Sequence, residues 1–145
     1  MSIAQREPAA RDVMQRDPVR IAVDTPFLEV QHLFVVAQIG GAPVVADDGK
    51  VVGMISAVDL LRAVDQAYDS DVDGDPEALF ESLRSLRATD VLSPEVEWVA
   101  PDTPVSHLAR IMRQHGIHRV LVGIDGRLEG IVSSFDLLPV LEVRG

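Results

Sequence analysis

The chain of 145 residues contains no cysteine, which excludes disulfides, thiolate nucleophiles and thiolate metal sites. Aromatics are scarce too: one Trp, one Tyr and four Phe are too few for a platform on which single-stranded nucleic acid could stack. Positive charge is in the minority. Against 23 Asp plus Glu there are 13 Lys plus Arg, and the formal charge of -10 repels a phosphate backbone or an anionic membrane. No run of about 18 apolar residues occurs, and the opening MSIAQREPAARDVMQ mixes charge with proline where a signal peptide needs an apolar stretch. A soluble, cytoplasmic protein with neither nucleic-acid nor membrane partner is therefore expected. What is present suffices for a core: 47% of residues are apolar and 25% charged, in a chain of ordinary domain length.

The sequence repeats itself. Asp12-Val13 recurs as Asp90-Val91, and Asp24-Thr25-Pro26 as Asp102-Thr103-Pro104, both 78 residues on. Further along, Gly49, Gly53, Ser56 and Asp59-Leu60-Leu61 recur as Gly126, Gly130, Ser133 and Asp136-Leu137-Leu138, now 77 residues on. One residue has been lost before the Gly49/Gly126 turn, where a loop absorbs a deletion without flipping a strand face.

Each copy opens with a short extended segment, Val19 to Val23 or Val96 to Ala100. Asp-Thr-Pro then predicts a capped helix with proline in its first turn. The apolar faces would be Val30, Leu33, Phe34 and Ala37 in one copy, and Val105, Leu108, Ala109 and Met112 in the other. Apolar runs on either side of Asp48-Gly49 and Asp125-Gly126 predict hairpins. A second helix follows, with Ala57, Leu60, Leu61 and Val64 on one face of the first copy, while Pro139 should kink or shorten its counterpart. The fold class is α+β, two βαββα repeats packed sheet to sheet in a pseudo-two-fold module, because about 55 residues alone bury too little surface. The expected organisation is a first repeat with its N-terminal segment over 1–68, an acidic insertion and connector helix over 69–87, and a second repeat over 88–145. The connector's second part, ALFESLRSLR, reads as an exposed helix.

Taken in order, Asp-Val-Met, Asp-Thr-Pro, Pro-Val-Val, Asp-Gly-Lys and Gly-Met-Ile-Ser-Ala-Val-Asp-Leu-Leu resemble a cystathionine-beta-synthase (CBS) domain. The second copy runs Asp-Val-Leu, Asp-Thr-Pro, Ile-His-Arg-Val-Leu-Val, Asp-Gly-Arg and Gly-Ile-Val-Ser-Ser-Phe-Asp-Leu-Leu, so the resemblance covers both repeats. It implies a tandem pair that takes an adenosine-containing ligand (AMP, ADP, ATP, NAD or S-adenosylmethionine) in clefts between repeats. It also implies a homodimer that regulates a partner protein. The alternative is a ligand-free dimerisation or scaffold module in which the insertion helix, near Leu79, Phe80, Leu83 and Leu86, engages a partner.

Ser56-Ala57-Val58-Asp59 and Ser133-Ser134-Phe135-Asp136 fit a helix-capping box by spacing alone. The resemblance adds a second reading, in which Asp59 and Asp136 accept from ribose hydroxyls while Ser56 and Ser133 address ribose or phosphate. His118 and Arg119 resemble His-Arg pairs that reach phosphates, and an Arg fork suits such an anion. The first copy has Gly40-Gly41 there, where Gly41 could admit a base or ribose or simply turn the chain. The resemblance also places adenine beside Ile21, Val23, Val99 and Pro101, positions that otherwise read as core. Ala46 stands where the family tends to carry Asp, and the second copy departs with Leu121 and Gly123.

Asp69-Ser70-Asp71-Val72-Asp73-Gly74-Asp75 has the first half of a calcium loop, with Asp69, Asp71 and Asp73 as weak metal candidates. The second half fails, since Phe80 occupies the position of the bidentate Glu. His107, His115 and His118 form no helical ligand pair, and neither a nucleophile elbow nor a glycine-rich phosphate loop is present. A binding protein is expected, with no catalytic residues and no resident cofactor.

Overall fold

Asp125 and Gly126 both take positive φ, 54° and 76°, the backbone that a two-residue type I′ hairpin turn demands. They join two strands of the second repeat, Arg119–Ile124 and Arg127–Ser133, with Ile124 opposite Arg127. In the first repeat the strands Gly41–Val45 and Val51–Ser56 are joined by Ala46 to Lys50, and the tip between Ala46 and Lys50 holds three residues where the second repeat has two. There the Ala46 amide donates to the Lys50 carbonyl at 2.9 Å, and Gly49 takes the left-handed turn position with φ 84°. The residue missing from the second repeat was thus lost at the hairpin tip, and strand register on both sides is kept.

A computed structural model describes residues 6–70 and 75–144. In chain order its elements are α1 (Ala10–Val13), β1 (Gln15–Arg16), β2 (Ile21–Ala22), α2 (Phe27–Ala37), β3 (Gly41–Val45), β4 (Val51–Ser56) and α3 (Ala57–Ser70). Then come α4 (Pro76–Arg84), α5 (Ala88–Val91), β5 (Trp98–Val99), α6 (Val105–His115), β6 (Arg119–Ile124) and β7 (Arg127–Ser133), followed by a 3-10 turn over Ser134–Leu137 and α7 (Leu138–Arg144). The architecture is mixed α and β, built twice from β-α-β-β-α. None of the helices among the described residues is long and apolar enough to cross a membrane.

The chain divides into two units. One is Val19–Glu95, with a three-stranded sheet in the order β2-β3-β4 and a core of Ile21, Phe27, Val30, Phe34, Val44 and Ile55. The other joins the chain up to Pro18 with Val96 onward; its sheet is β1-β7-β6-β5 and its core is Val99, Val105, Leu108, Met112, Val120 and Val132.

The repeats exchange their leading segments. Residues 9–16, ahead of the first repeat, join the unit of the second: the Ala10 amide donates to the Thr103 carbonyl at 2.8 Å, and Gln15 pairs with Ile131. Residues 87–93 do the same for the first repeat, with the Ala88 amide donating to Thr25 at 2.8 Å and Met54 bridged to Ser93. The recurring Asp-Val pair belongs to this segment, where the carboxylates of Asp12 and Asp90 accept from the amides of Ala9 and Arg87, both at 2.8 Å. The matched glycines let it approach. A Cβ on Gly53 would lie 2.6 Å from the Ser93 carbonyl oxygen, and one on Gly130 would lie 2.8 Å from that of Gln15.

Three sequence expectations are corrected. In Asp-Thr-Pro the proline itself precedes the first helical residue of α2 or α6, its side chain offers no cap, and the Pro26 carbonyl accepts from Glu29 and Val30. On α3 the buried face is Leu60, Ala63 and Ala67, whereas Leu61 and Val64 point outward. The connector helix α4 packs with α2 and α3 and brings Leu83 into the core, so α4 is amphipathic rather than wholly exposed. Pro139 acts as expected: lacking an amide proton, it coincides with a 3-10 turn and a short α7 in place of the 14-residue α3.

Candidate functional site

Each repeat carries Ser-x-x-Asp where its last strand becomes a helix. In the second, the Ser133 amide donates to Asp136 Oδ2 at 2.8 Å and the Asp136 amide donates to Ser133 Oγ at 3.3 Å, a reciprocal capping box. In the first, the Ser56 amide donates to Asp59 Oδ2 at 2.8 Å and the Asp59 amide donates to Ser56 Oγ at 3.2 Å. The capping role is therefore met in both repeats.

Beyond capping the carboxylates differ. Asp59 is only 6% exposed, and Ser56 Oγ donates to its Oδ2 at 3.0 Å. Its Oδ1 accepts from Ser93 Oγ at 3.0 Å and from Arg62 Nη1 at 3.2 Å. Asp136 is half-buried, and among the described residues no side chain donates to it. Neither Ser93 nor Arg62 stood out in the sequence. Arg62 was legible as a helical i+3 partner of Asp59, but Ser93 reaches it only through the exchanged segment.

Arg119 begins β6 directly opposite Ser133 on β7, and the Ser134 amide donates to the His118 carbonyl at 2.8 Å. Arg119 is half-buried with no carboxylate within ion-pair distance among the described residues. Burial lowers its pKa, partly offset by the negative charge of nearby Asp136. His118 is exposed. The second unit thus brings Arg119, Ser133 and Asp136 to one end of the β6–β7 hairpin. In the first unit Gly41 lies opposite Ser56 and leaves that place without a cation.

Ile21 and Val99 are buried in the cores of their units. Val23 and Pro101 are half-buried, and their main-chain groups are engaged: the Val23 amide donates to Val45 at 3.1 Å, its carbonyl accepts from Thr89 at 3.0 Å, and the Pro101 carbonyl accepts from Arg11 at 2.9 Å. Gly123 has a structural cause, since a Cβ there would lie 2.8 Å from the Trp98 ring. Of the calcium-loop candidates, Asp69 lies on α3, and Asp71 and Asp73 fall outside the described residues. Asp75 caps α4, accepting from the Glu77 amide at 3.0 Å.

Comparison with known proteins agrees with this duplicated geometry. The family model of the CBS domain matches residues 10–66 and 88–143. An uncharacterised protein of Methanocaldococcus jannaschii, MJ1426, is 29% identical over 90% of this chain and 89% of its own length. A second from that organism, MJ1225, is 26% identical, but there the chain spans only 42% of the relative. Among solved structures, the CBS domain of a CBS domain-containing membrane protein from Sphaerobacter thermophilus shares 35% identity at a TM-score of 0.75, covering 94% of this chain and 89% of that one. The CBS domain pair of protein MJ0100, in complex with 5-methylthioadenosine and S-adenosyl-L-methionine, superposes with a TM-score of 0.79 at 22% identity, over 97% and 100% of the two chains. CBSX2 in complex with AMP does so at 0.75 and 22%, over 95% and 99%.

Proposed function

Since the chain belongs to the CBS domain family, with two copies of the domain, we propose that it is a regulatory module that binds an adenosine-containing ligand. It senses the ligand and performs no chemistry on it. The observation that carries this reading is the Asp136 carboxylate, which keeps hydrogen-bonding capacity beside the half-buried Arg119. Two adjacent hydroxyls of a nucleoside sugar match two carboxylate oxygens, and a guanidinium beside them suits a phosphate. Fold relatives bound to AMP or to S-adenosyl-L-methionine add to it. Regulation follows if the ligand binds one conformation better than another, because only differential affinity shifts a population.

The module acts as a homodimer. Three equivalent positions of the two repeats leave apolar side chains in solvent: Val58, Leu61 and Val64 on α3, and Phe135 on the 3-10 turn with Leu138 and Leu141 on α7. Duplicated apolar exposure on matched helices suits a second copy of the chain better than chance scatter does.

Thermal unfolding with AMP, ADP, ATP, NAD and S-adenosylmethionine tests the ligand. At about a hundred times its dissociation constant a ligand adds about 2.7 kcal/mol, which raises the midpoint by several degrees in a chain this size. No shift with any of them, and no adenosine compound released from denatured protein under mass spectrometry, would refute the reading.

A further inference from the structure

We infer that the two repeats are not equivalent as binding sites: one ligand binds per chain, at Asp136, and it is an adenosine phosphate rather than a sulfonium. This rests on the adenosine reading above and narrows it. A carboxylate offers about four acceptor positions. At Asp59 four donors occupy them: the Ser56 amide, Ser56 Oγ, Ser93 Oγ and Arg62 Nη1, all within 3.2 Å. At Asp136 the Ser133 amide is the one donor found among the described residues, and Oδ1 is untouched.

The difference is written in the sequence. By the offset of the repeats Arg62 corresponds to Pro139, which has no side-chain donor, and Ser93 corresponds to Gln15, from which no bond to Asp136 is formed. A sugar diol arriving at Asp59 would have to displace a half-buried serine and a guanidinium, whereas at Asp136 it completes an open acceptor. Asp59 is thus a brace that fastens the exchanged segment through Ser93.

Arg119 sets the ligand's chemistry. It stands across the strand pair from Ser133, half-buried and without an ion-pair partner among the described residues, and its counterpart in the first repeat is Gly41. A half-buried cation held beside the sugar site attracts a phosphate and repels a positively charged sulfonium.

The test is calorimetric titration of the whole chain with AMP, adenosine and S-adenosylmethionine. One AMP per chain is expected, bound at least tenfold more tightly than adenosine and tenfold more tightly than S-adenosylmethionine. Asp136→Asn should weaken AMP and adenosine alike by at least tenfold. Arg119→Gln should weaken AMP by a similar factor while leaving adenosine within twofold. Ser93→Ala, a milder change than any at Asp59 and so expected to fold, should leave AMP affinity within twofold. Two AMP per chain of similar affinity, or loss of binding in Ser93→Ala with Asp136→Asn unaffected, overturns the inequivalence. Adenosine or S-adenosylmethionine binding as well as AMP overturns the phosphate assignment, with the adenosine reading intact. If none of the three binds, this inference fails, and the adenosine reading is decided by the wider ligand panel above.

Discussion

The Ser93 hydroxyl donates to Asp59 Oδ1 at 3.0 Å, spanning 34 positions of sequence. This bond joins the first turn of α3 to the segment that leads into the second repeat, and the main chain seconds it: the Met54 and Ser93 amides and carbonyls pair reciprocally at 2.9 and 2.8 Å. Asp59 is therefore a structural junction. Asp136, on the matching turn, caps its helix and little else. Asp59→Ala should cost about 2–3 kcal/mol, since bonds to a buried charge are lost and their donors stranded. Asp136→Ala should cost about 1 kcal/mol, the usual worth of a cap. Urea unfolding at unchanged slope reads both; equal costs would show that the brace does not exist.

The exchanged segments make a second expectation. With Gly53 beneath the Ser93 carbonyl and Gly130 beneath that of Gln15, a methyl at either position meets backbone, which cannot swing aside as a side chain can. Gly53→Ala and Gly130→Ala should each destabilise by about 1–3 kcal/mol, the range for overpacking. Gly116, with nothing within 4 Å of a hypothetical Cβ but φ at 62°, should lose less, about 1 kcal/mol for the strained backbone. If all three cost the same, strain and not close approach governs them.

Much of this arrangement was legible before any coordinates. The hairpins follow from Asp-Gly between apolar runs, because few other dipeptides tolerate the required φ, and the repeat offset put the lost residue between Ile39/Ile117 and the Gly49/Gly126 turn. Pro139 announced the broken last helix for a local reason, the missing amide. What stayed hidden depends on partners distant in sequence. Leu60 and Leu61 are equally apolar, and which of them turns inward depends on how α3 seats against β4, α2, α4 and α5. Likewise Ser-x-x-Asp reads identically in both copies, and the difference between Asp59 and Asp136 arises from Ser93 and Arg62, outside the motif. The cap expected in Asp-Thr-Pro failed because proline took the position itself, leaving the carboxylate outside the first turn.

Helix α4 provides a third test. Leu83 is 8% exposed within the first unit's core, while Phe80, three residues earlier on the helix, is 52% exposed beneath the Arg84 guanidinium, 5.7 Å from its ring centre. Were α4 only a tether, both could be trimmed freely. Leu83→Ala should instead cost about 2–3 kcal/mol by opening a cavity, and Phe80→Ala no more than about 1 kcal/mol. Comparable small losses at both positions, followed by denaturant titration, would contradict the packing.

The final expectation concerns the second copy of the chain. Leu61 is 68% exposed and Leu138 48% exposed, at corresponding places in the two repeats. In a lone chain an aspartate at either site meets water, and substitutions on such surfaces stay within about 0.5 kcal/mol. Across a dimer interface the same carboxylate must be desolvated against apolar neighbours and faces its own symmetry mate, which is costly. Leu61→Asp combined with Leu138→Asp should therefore leave secondary structure by circular dichroism intact while raising the dimer dissociation constant at least a hundredfold, about 2.7 kcal/mol. Sedimentation equilibrium decides it: a monomeric parent, or a variant whose mass stays double, would place the contact elsewhere or remove it. A variant that unfolds at once would show that these leucines serve the chain's own core, against the exposure seen here.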